Sequence, residues 1–532
     1  MDGIADNGAQ RHGPFGRPLF ADPNVSALSR VGVIDVGSNS VRFVVFDGAA
    51  RSPAYFYNEK IMCALGSGLS QTGRLNPEGR VRALNAMRRF AGLAEGMGIA
   101  PLSAVATAAV REAEDGAEFC AEIERETGIR IYIIDGEEEA RLSAQGVLLG
   151  WPGSYGLVCD IGGSSMELAT LDEGKVGDRL TSALGPLKLM EIRGGRKAVK
   201  AHIRETMEGL HVRMGKPTGM RLFLVGGSWR AIARIDMDRR EYPLAVLHEY
   251  RMTSRQVTAT REYIKTTDPE ELRNRLGLSK ERSILVPHAS LVLASLVQTF
   301  KPKDIAISSY GIREGMLFEE MPQALRDRDP LIAACHFAEQ KDARLPGFGD
   351  LLYGFVSPLF PRADWQKRRL IHAACLLHDV SWRAHPDYRA EMSFENTTRA
   401  NLGGLKHRER IFLGLALLHR YKNKREGTHF EALFELLEES ESREAEVLGK
   451  AMRLGAMLWL GIDTPPGKLK WRPRKKTLEL VLSPRAERLY GEVAEARFTS
   501  LASALDAMPL VTIPRQSSIS SSGSSGSGSD GA

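Results

Sequence analysis

The first strongly apolar runs in the chain are "VGVIDV" (31–36) and "VRFVVF" (41–46), joined by Gly-Ser-Asn-Ser. Val and Phe at this density, broken only by small polar residues, predict two strands in a tight hairpin. Up to residue 150 the pattern alternates. Strands are expected again at 102–106 and 130–134, and a period near 3.6 predicts helices at 77–97, 112–127 and 137–149. "YGLVCDIGGSSMELATL" (155–171) then repeats the opening: apolar strand, Asp, Gly/Ser turn, apolar strand. Asp35 aligns with Asp160. A third glycine turn stands in "LFLVGGSWRAIARI" (222–235), and a fourth break falls at Gly311 in "IAISSYGIREGMLFEEM" (305–321). This repetition predicts a duplicated α/β architecture, with halves at 30–150 and 151–325. From 326 to 507 strand signals thin out. Helical periodicity at 330–340, 366–380, 407–422, 429–440 and 445–460 predicts a separate helical domain, with a short hairpin near 468–482. Residues 1–29 are expected to form a disordered leader and 508–532, rich in Ser and Gly, a flexible tail.

Composition narrows the class only a little. A chain of 532 residues exceeds a single core, so two to four domains are expected. Hydrophobic residues at 43% and charged residues at 26% are ordinary for a soluble globular protein. A net charge of +6 fits a polyanionic partner without demanding one. Cys63, Cys120, Cys159, Cys335 and Cys375 show no CxxC spacing, which argues for reduced thiols rather than a disulfide framework or zinc site. The leader lacks the apolar run of a signal peptide, and no stretch reads as a membrane-spanning helix. A cytoplasmic protein is expected.

The glycine turns carry the chemistry. A carboxylate inside an apolar strand is costly unless something compensates it. Gly, Ser and Asn after a strand expose backbone N–H groups to an approaching anion. Where the turn opens a helix, the helix N-terminus adds to the attraction. One such turn serves shape alone; three or four, two of them after Asp, point to phosphate. An Asp beside phosphate points in turn to Mg²⁺ held between carboxylate and phosphate oxygens. On this reading Asp35 and Asp160 face a shared metal–phosphate site. The alternative is that both brace their turns through Asx-type hydrogen bonds.

Six segments in order, "GVIDVGSNSVRFVVFDG", "VATAAVREAEDG", "IIDGEEEARLSAQGV", "VCDIGGSSMELA", "LVGGSWRAIA" and "SSYGIREGML", resemble the exopolyphosphatase / guanosine pentaphosphate phosphohydrolase family. That family belongs to the acetate kinase–actin–heat-shock chaperone superfamily. The resemblance covers roughly 31–320 and implies two duplicated actin-like (ribonuclease H-like) domains followed by a mainly helical HD-like domain. It also implies Mg²⁺-dependent hydrolysis of the terminal phosphate of inorganic polyphosphate, and a homodimer is compatible with it. By analogy Ser38, Asn39 and Ser40 contact phosphate from one domain, and Gly162, Gly163, Ser164 and Ser165 from the other. Gly226 and Gly227 form the third turn. Arg111 matches the family's phosphate-binding arginine, whose planar fork meets two phosphate oxygens. Glu167 matches an acidic residue that joins Asp35 and Asp160 around the metal. Glu138 matches the catalytic glutamate, positioned to accept a proton from the attacking water. Two points stay open for this residue. Asp135 and Glu138 also read as an N-cap and an acidic first turn, and the register could shift to Glu137 or Glu139.

The sequence departs from the family pattern in places. Ser164 replaces a glycine, Met166 a threonine and Ala64 an arginine common in the family, and bulky Trp229 follows the third turn. These bear on substrate choice more than on the reaction.

In the helical region His378-Asp379 resembles the HD metal core, with His336 and Asp463 as candidate partners; the competing reading is a hydrogen-bonded remnant. Lys468, Lys470, Arg472, Arg474, Lys475 and Lys476 surround Trp471, and "HRYKNKR" (419–425) adds a second basic cluster. Such a stripe either tracks a polyanion or guards an edge strand. No nucleic-acid-binding motif accompanies it. The leading reading is an exopolyphosphatase. Guanosine pentaphosphate is the runner-up substrate, and a polyphosphate-dependent phosphotransferase and a non-catalytic sensor are the other classes.

Overall fold

The computed structural model describes residues 19–20, 27–100, 102–459, 465 and 467–513. They form two compact units. The first runs to Phe337 and takes in Arg399–Arg410; the second comprises Ala338–Thr398 and continues from Ile411. The first unit thus extends past the break expected at 326.

The first unit holds two sheets. One consists of β1 (Ala27–Val36), β2 (Ser40–Ala49), β3 (Ser52–Met62), β4 (Leu102–Ala106) and β5 (Ile131–Ile133) in the order β3-β2-β1-β4-β5. The other consists of β6 (Gly156–Ile161), β7 (Met166–Asp172), β8 (Lys175–Ser182), β9 (Arg221–Val225), β10 (Arg251–Met252) and β11 (Asp304–Ile307), ordered β10-β11-β9-β6-β7-β8. The duplication is therefore topological as well as textual. In each half a central strand pairs antiparallel with the next strand and parallel with a later one. Asp35 faces Arg42 on β2 and Val105 on β4, while Asp160 faces Glu167 on β7 and Val225 on β9. The two aspartates occupy equivalent places.

The helices α1 (Pro77–Gly96), α2 (Gly116–Thr127), α3 (Gly136–Gly150), α4 (Gly195–Arg213), α5 (Gly227–Arg239), α6 (Ser254–Thr266), α7 (Lys280–Phe300) and α8 (Ile312–Glu320) cover the sheets. One core packs Val41, Phe43 and Val45 of β2 against Met87 and Phe90 of α1. Another packs Cys159 and Leu168 against Trp229, Val292 and Leu296. A third core joins the halves, and here α3 and α8 meet backbone to backbone. A Cβ on Gly315 would fall 1.8 Å from the Leu142 carbonyl oxygen, and one on Gly146 would fall 2.2 Å from that of Gly311. Only glycine permits that approach.

Three expectations need correcting. The leader is not wholly without structure, because β1 begins at Ala27 and Phe20 is buried in the third core with Val31 and Val33. The tail expected from 508 begins instead with a strand. In the second unit β12 (Gly467–Arg472) and β13 (Thr477–Leu482) form the expected hairpin, and β14 (Met508–Thr512) pairs parallel with β13. Finally, α7 is long and apolar enough to cross a membrane by length and composition alone, although Pro287 and the charges at its start break up the run in the sequence. Its apolar face lies in the second core, with Val286, Val292, Leu296 and Phe300 buried. All five cysteines are free.

Candidate active site

The C-terminal ends of β1 and β6 bring the first two glycine turns together. Ser164 Oγ donates to Ser38 Oγ at 3.1 Å, bridging turn to turn. The side chain that replaces the family glycine is thereby taken up between the two turns. Around the turns lies a cavity of about 170 Å³. Ser38, Asn39, Ser40, Gly162, Gly163, Ser165, Gly226 and Gly227, all expected at a phosphate site, line it; Ser164 does not. Trp229 is fully buried instead, its indole N–H donating to the Cys159 carbonyl at 3.2 Å, so its bulk stays out of the site.

Asp35, Asp160 and Glu139 supply the acidic side of the cavity. Asp160 accepts a hydrogen bond from Ser143 of α3, and Asp35 accepts from Arg313 at 2.9 Å. Glu138, the expected base, lies elsewhere. Its carboxylate is held by Arg141 at 2.6 and 2.8 Å, its N–H donates to the Asp135 carboxylate at 2.7 Å, and it does not line the cavity. The capping reading of Asp135 thus describes this residue. Each residue of an α-helix turns the side-chain direction by about 100°, and that single step takes Glu139 inward, where it is 4% exposed. Of the three consecutive glutamates, Glu139 is the one that lines the cavity.

Arg111 lies behind Glu139 rather than in the cavity wall. It donates to the Ile134 carbonyl at 2.7 Å and sits 3.7 Å from the Glu139 carboxylate. Glu167 is likewise set back, opposite Asp160 in the strand register, with Thr181 Oγ1 donating to it at 3.1 Å. One oxygen of Glu139 and one of Glu167 are buried without a hydrogen-bond partner. Burial and mutual repulsion push these acids up. Glu139 rises well above the usual carboxylate range through burial, Glu167 and Asp160, while Glu167 is pushed to about 8 through burial and Asp160. Buried carboxylates with unused oxygens, hard donors all, form a set suited to Mg²⁺.

The cavity is also strongly cationic, which was not read from the sequence. Arg42, Lys60, Arg230, Arg282 and Arg313 all line it. Arg42 on β2 stands between Asp35 on β1 and Lys60 on β3, as the cross-strand neighbour of each. Arg282, from the start of α7, lies over the third turn, where a Cβ on Gly227 would meet its guanidinium at 2.4 Å. These cations crowd one another. Burial, Arg313 and Arg230 lower Arg42 to about 10, and desolvation in the cavity with Arg282, Arg42 and Arg230 lowers Lys60 to about 8, even though its side chain keeps solvent contact. Positive charges held together at such cost are relieved by a multivalent anion.

In the second unit the His378-Asp379 pair is engaged internally. Arg344 grips both Asp379 oxygens at 2.6 and 2.8 Å, and His378 Nδ1 lies 2.8 Å from the Cys375 carbonyl, with burial lowering the imidazole to about 4. His336 belongs to the first unit, and Asp463 lies outside the described residues. In the basic hairpin Glu479 takes up Arg472 at 2.8 Å and Lys470 at 3.7 Å.

Comparison with known proteins agrees with this fold. Residues 44–324 match the model of the Ppx/GppA phosphatase family, and residues 363–507 match that of the exopolyphosphatase C-terminal region. The chain belongs to the Ppx/GppA phosphatase family. Among similar proteins, Retrograde regulation protein 2 of Saccharomyces cerevisiae is 23% identical over 75% of this chain and 74% of its own length. Exopolyphosphatase 1 of Mycobacterium bovis is 33% identical over 144 residues, which span 26% of this chain and 42% of the relative. The crystal structure of an exopolyphosphatase from Cytophaga hutchinsonii is 22% identical, covers 55% of this chain and 98% of its own, and superposes with a TM-score of 0.51.

Proposed function

We propose that the protein is a Mg²⁺-dependent exopolyphosphatase that removes the terminal phosphate of inorganic polyphosphate. The observation that carries this reading is one cavity lined together by Asp35, Asp160 and Glu139, the last with a buried unpartnered oxygen, and by five cations. The glycine turns offer backbone N–H groups to the terminal phosphate, and Arg42, Lys60, Arg230, Arg282 and Arg313 neutralise the chain behind it. Glu139 orients a water against the terminal phosphorus and takes its proton. Arg111 favours the charged form of Glu139 and holds it in place. Asp160, with Asp35 beside it and Glu167 in support, would hold Mg²⁺, which would draw charge from the phosphoryl oxygens and favour the charged form of Glu139. The P–O bond to the penultimate phosphate breaks, and orthophosphate and a shortened chain leave.

Polyphosphate is favoured over guanosine pentaphosphate by the lining. Among the described residues no aromatic ring faces the cavity, and its apolar contribution is limited to Ile161, Val225, Leu285 and Ile312. A base would find no stacking platform there. Retention of Glu139 and Asp160 in the cavity favours turnover over sensing. The test follows orthophosphate release from polyphosphate and from guanosine pentaphosphate in parallel, with Mg²⁺ and with EDTA. Mg²⁺-dependent release with polyphosphate preferred supports the assignment; release from the nucleotide alone overturns it.

A further inference from the structure

Asp160 and Glu167 are register partners on β6 and β7, and each is held by a hydroxyl from a different element. Ser143 of α3 is fully buried, and its Oγ donates to Asp160 Oδ2. Thr181 of β8 stands opposite Glu167 in the strand register, and its Oγ1 donates to Glu167 Oε1 at 3.1 Å. In both acids a second oxygen remains. Asp160 Oδ1 lies beside the third turn, where a Cβ on Gly226 would come within 3.0 Å of it. Glu167 Oε2 is buried without a partner.

One helix ties the two hydroxyls together. Ser143 follows Glu139 by four residues, which sets them on one face of α3, a turn apart. At its start the same helix rests on Thr181, since a Cβ on Gly136 would fall 2.5 Å from the Thr181 Cβ. α3 thus backs Thr181 with its first residue, lines the cavity with Glu139 and reaches Asp160 with Ser143. A carboxylate without such a partner turns about its terminal bond, and losing that freedom opposes binding of an ion. A hydroxyl that fixes one oxygen leaves the other already aimed. Mg²⁺ demands near-ideal octahedral geometry, so it gains most from ligands oriented in advance.

We propose that Ser143 and Thr181 are positioning residues for the metal site, orienting Asp160 and Glu167 so that the second oxygen of each is presented to Mg²⁺. The proposal rests on the Mg²⁺-dependent reading of the active site. Its test is Mn²⁺ binding to the full-length protein, followed by the electron paramagnetic resonance signal of the free ion with Mg²⁺ as competitor, since both ions take carboxylate oxygens. Ser143→Ala and Thr181→Val each remove one hydroxyl with little change of shape, whereas Thr181→Ser keeps the hydroxyl and loses a methyl group. Thr181 is exposed, so its two variants leave the core alone. The expected result is affinity for both ions lowered about tenfold or more in Ser143→Ala and in Thr181→Val, the usual cost of losing a group that orients a metal ligand. Affinity is retained in Thr181→Ser, and the Mg²⁺ concentration for half-maximal phosphate release shifts in the same order. A packing role for Thr181 predicts the reverse, a normal valine variant and an impaired serine variant, and that result would overturn the proposal. Unchanged ion affinity in Ser143→Ala or in Thr181→Val would overturn it too, as would absence of Mn²⁺ binding by the unsubstituted protein. Absence of phosphate release from polyphosphate by the unsubstituted protein would instead overturn the assigned reaction, and the ion titration would still decide the role of the two hydroxyls.

Discussion

Glu139 carries the account at the residue scale. Its neighbours Glu137 and Glu138 share its chemistry, but only Glu139 turns into the cavity beside Asp160. Replacing it with Gln should lower kcat by ~10²–10⁴-fold, the usual contribution of a general base, and leave KM nearly unchanged in steady-state kinetics. Lys60 sets a pH limb. Its ammonium, ordinarily near 10.5, loses its proton near 8 here. A cation that binds phosphate works only while protonated, so KM for polyphosphate should rise as pH climbs through about 8. Lys60→Arg should move that rise to higher pH, because a guanidinium stays charged. Asp35, Asp160 and the turn residues were legible because a strand, an acid and a small-residue turn sit next to one another in the chain. Lys60 and Arg282 were not. Lys60 acts through cross-strand register, and Arg282 arrives from a helix more distant in sequence than any local pattern reaches.

At the scale of elements, the contact between α3 and α8 sets the site. α3 carries Glu139 and α8 carries Arg313, and the two helices cross where Gly146 and Gly315 leave no room for a side chain. Gly315→Ala should force them apart, lowering stability by about 1–3 kcal/mol, as overpacking does, and reducing activity together with it; thermal melts and kinetics on one preparation check both. The helices expected at 77–97 and 137–149 lie within a residue of α1 and α3, because their periodicity is local, whereas α4, α6 and α7 were not read at all. β3 was missed since its run, "SPAYFYNEKIM", mixes aromatic and charged positions and lacks a continuous apolar stretch. The glycine crossing was likewise hidden, because two isolated glycines acquire meaning only when the helices are brought together.

At the scale of the whole molecule, charge directs the chemistry. The net charge of +6 is small, but five cations converge on the cavity. Affinity for polyphosphate should therefore weaken steadily with ionic strength, read as KM rising severalfold between about 0.05 and 0.5 M salt as screening tightens. The duplicated halves were legible from the repeated aspartate turns, whereas the segment Arg399–Arg410, which belongs with the first unit, carries no signal of that membership in its own composition. The central claim is that Glu139, in a carboxylate–cation cavity, drives release of terminal phosphate. Its most direct test is Mg²⁺-dependent orthophosphate release from polyphosphate by the unsubstituted protein, Glu139→Gln and Glu138→Gln. Release should collapse in Glu139→Gln and stay within a few-fold of normal in Glu138→Gln. The reverse order of the two variants, or no release from the unsubstituted protein, would contradict it.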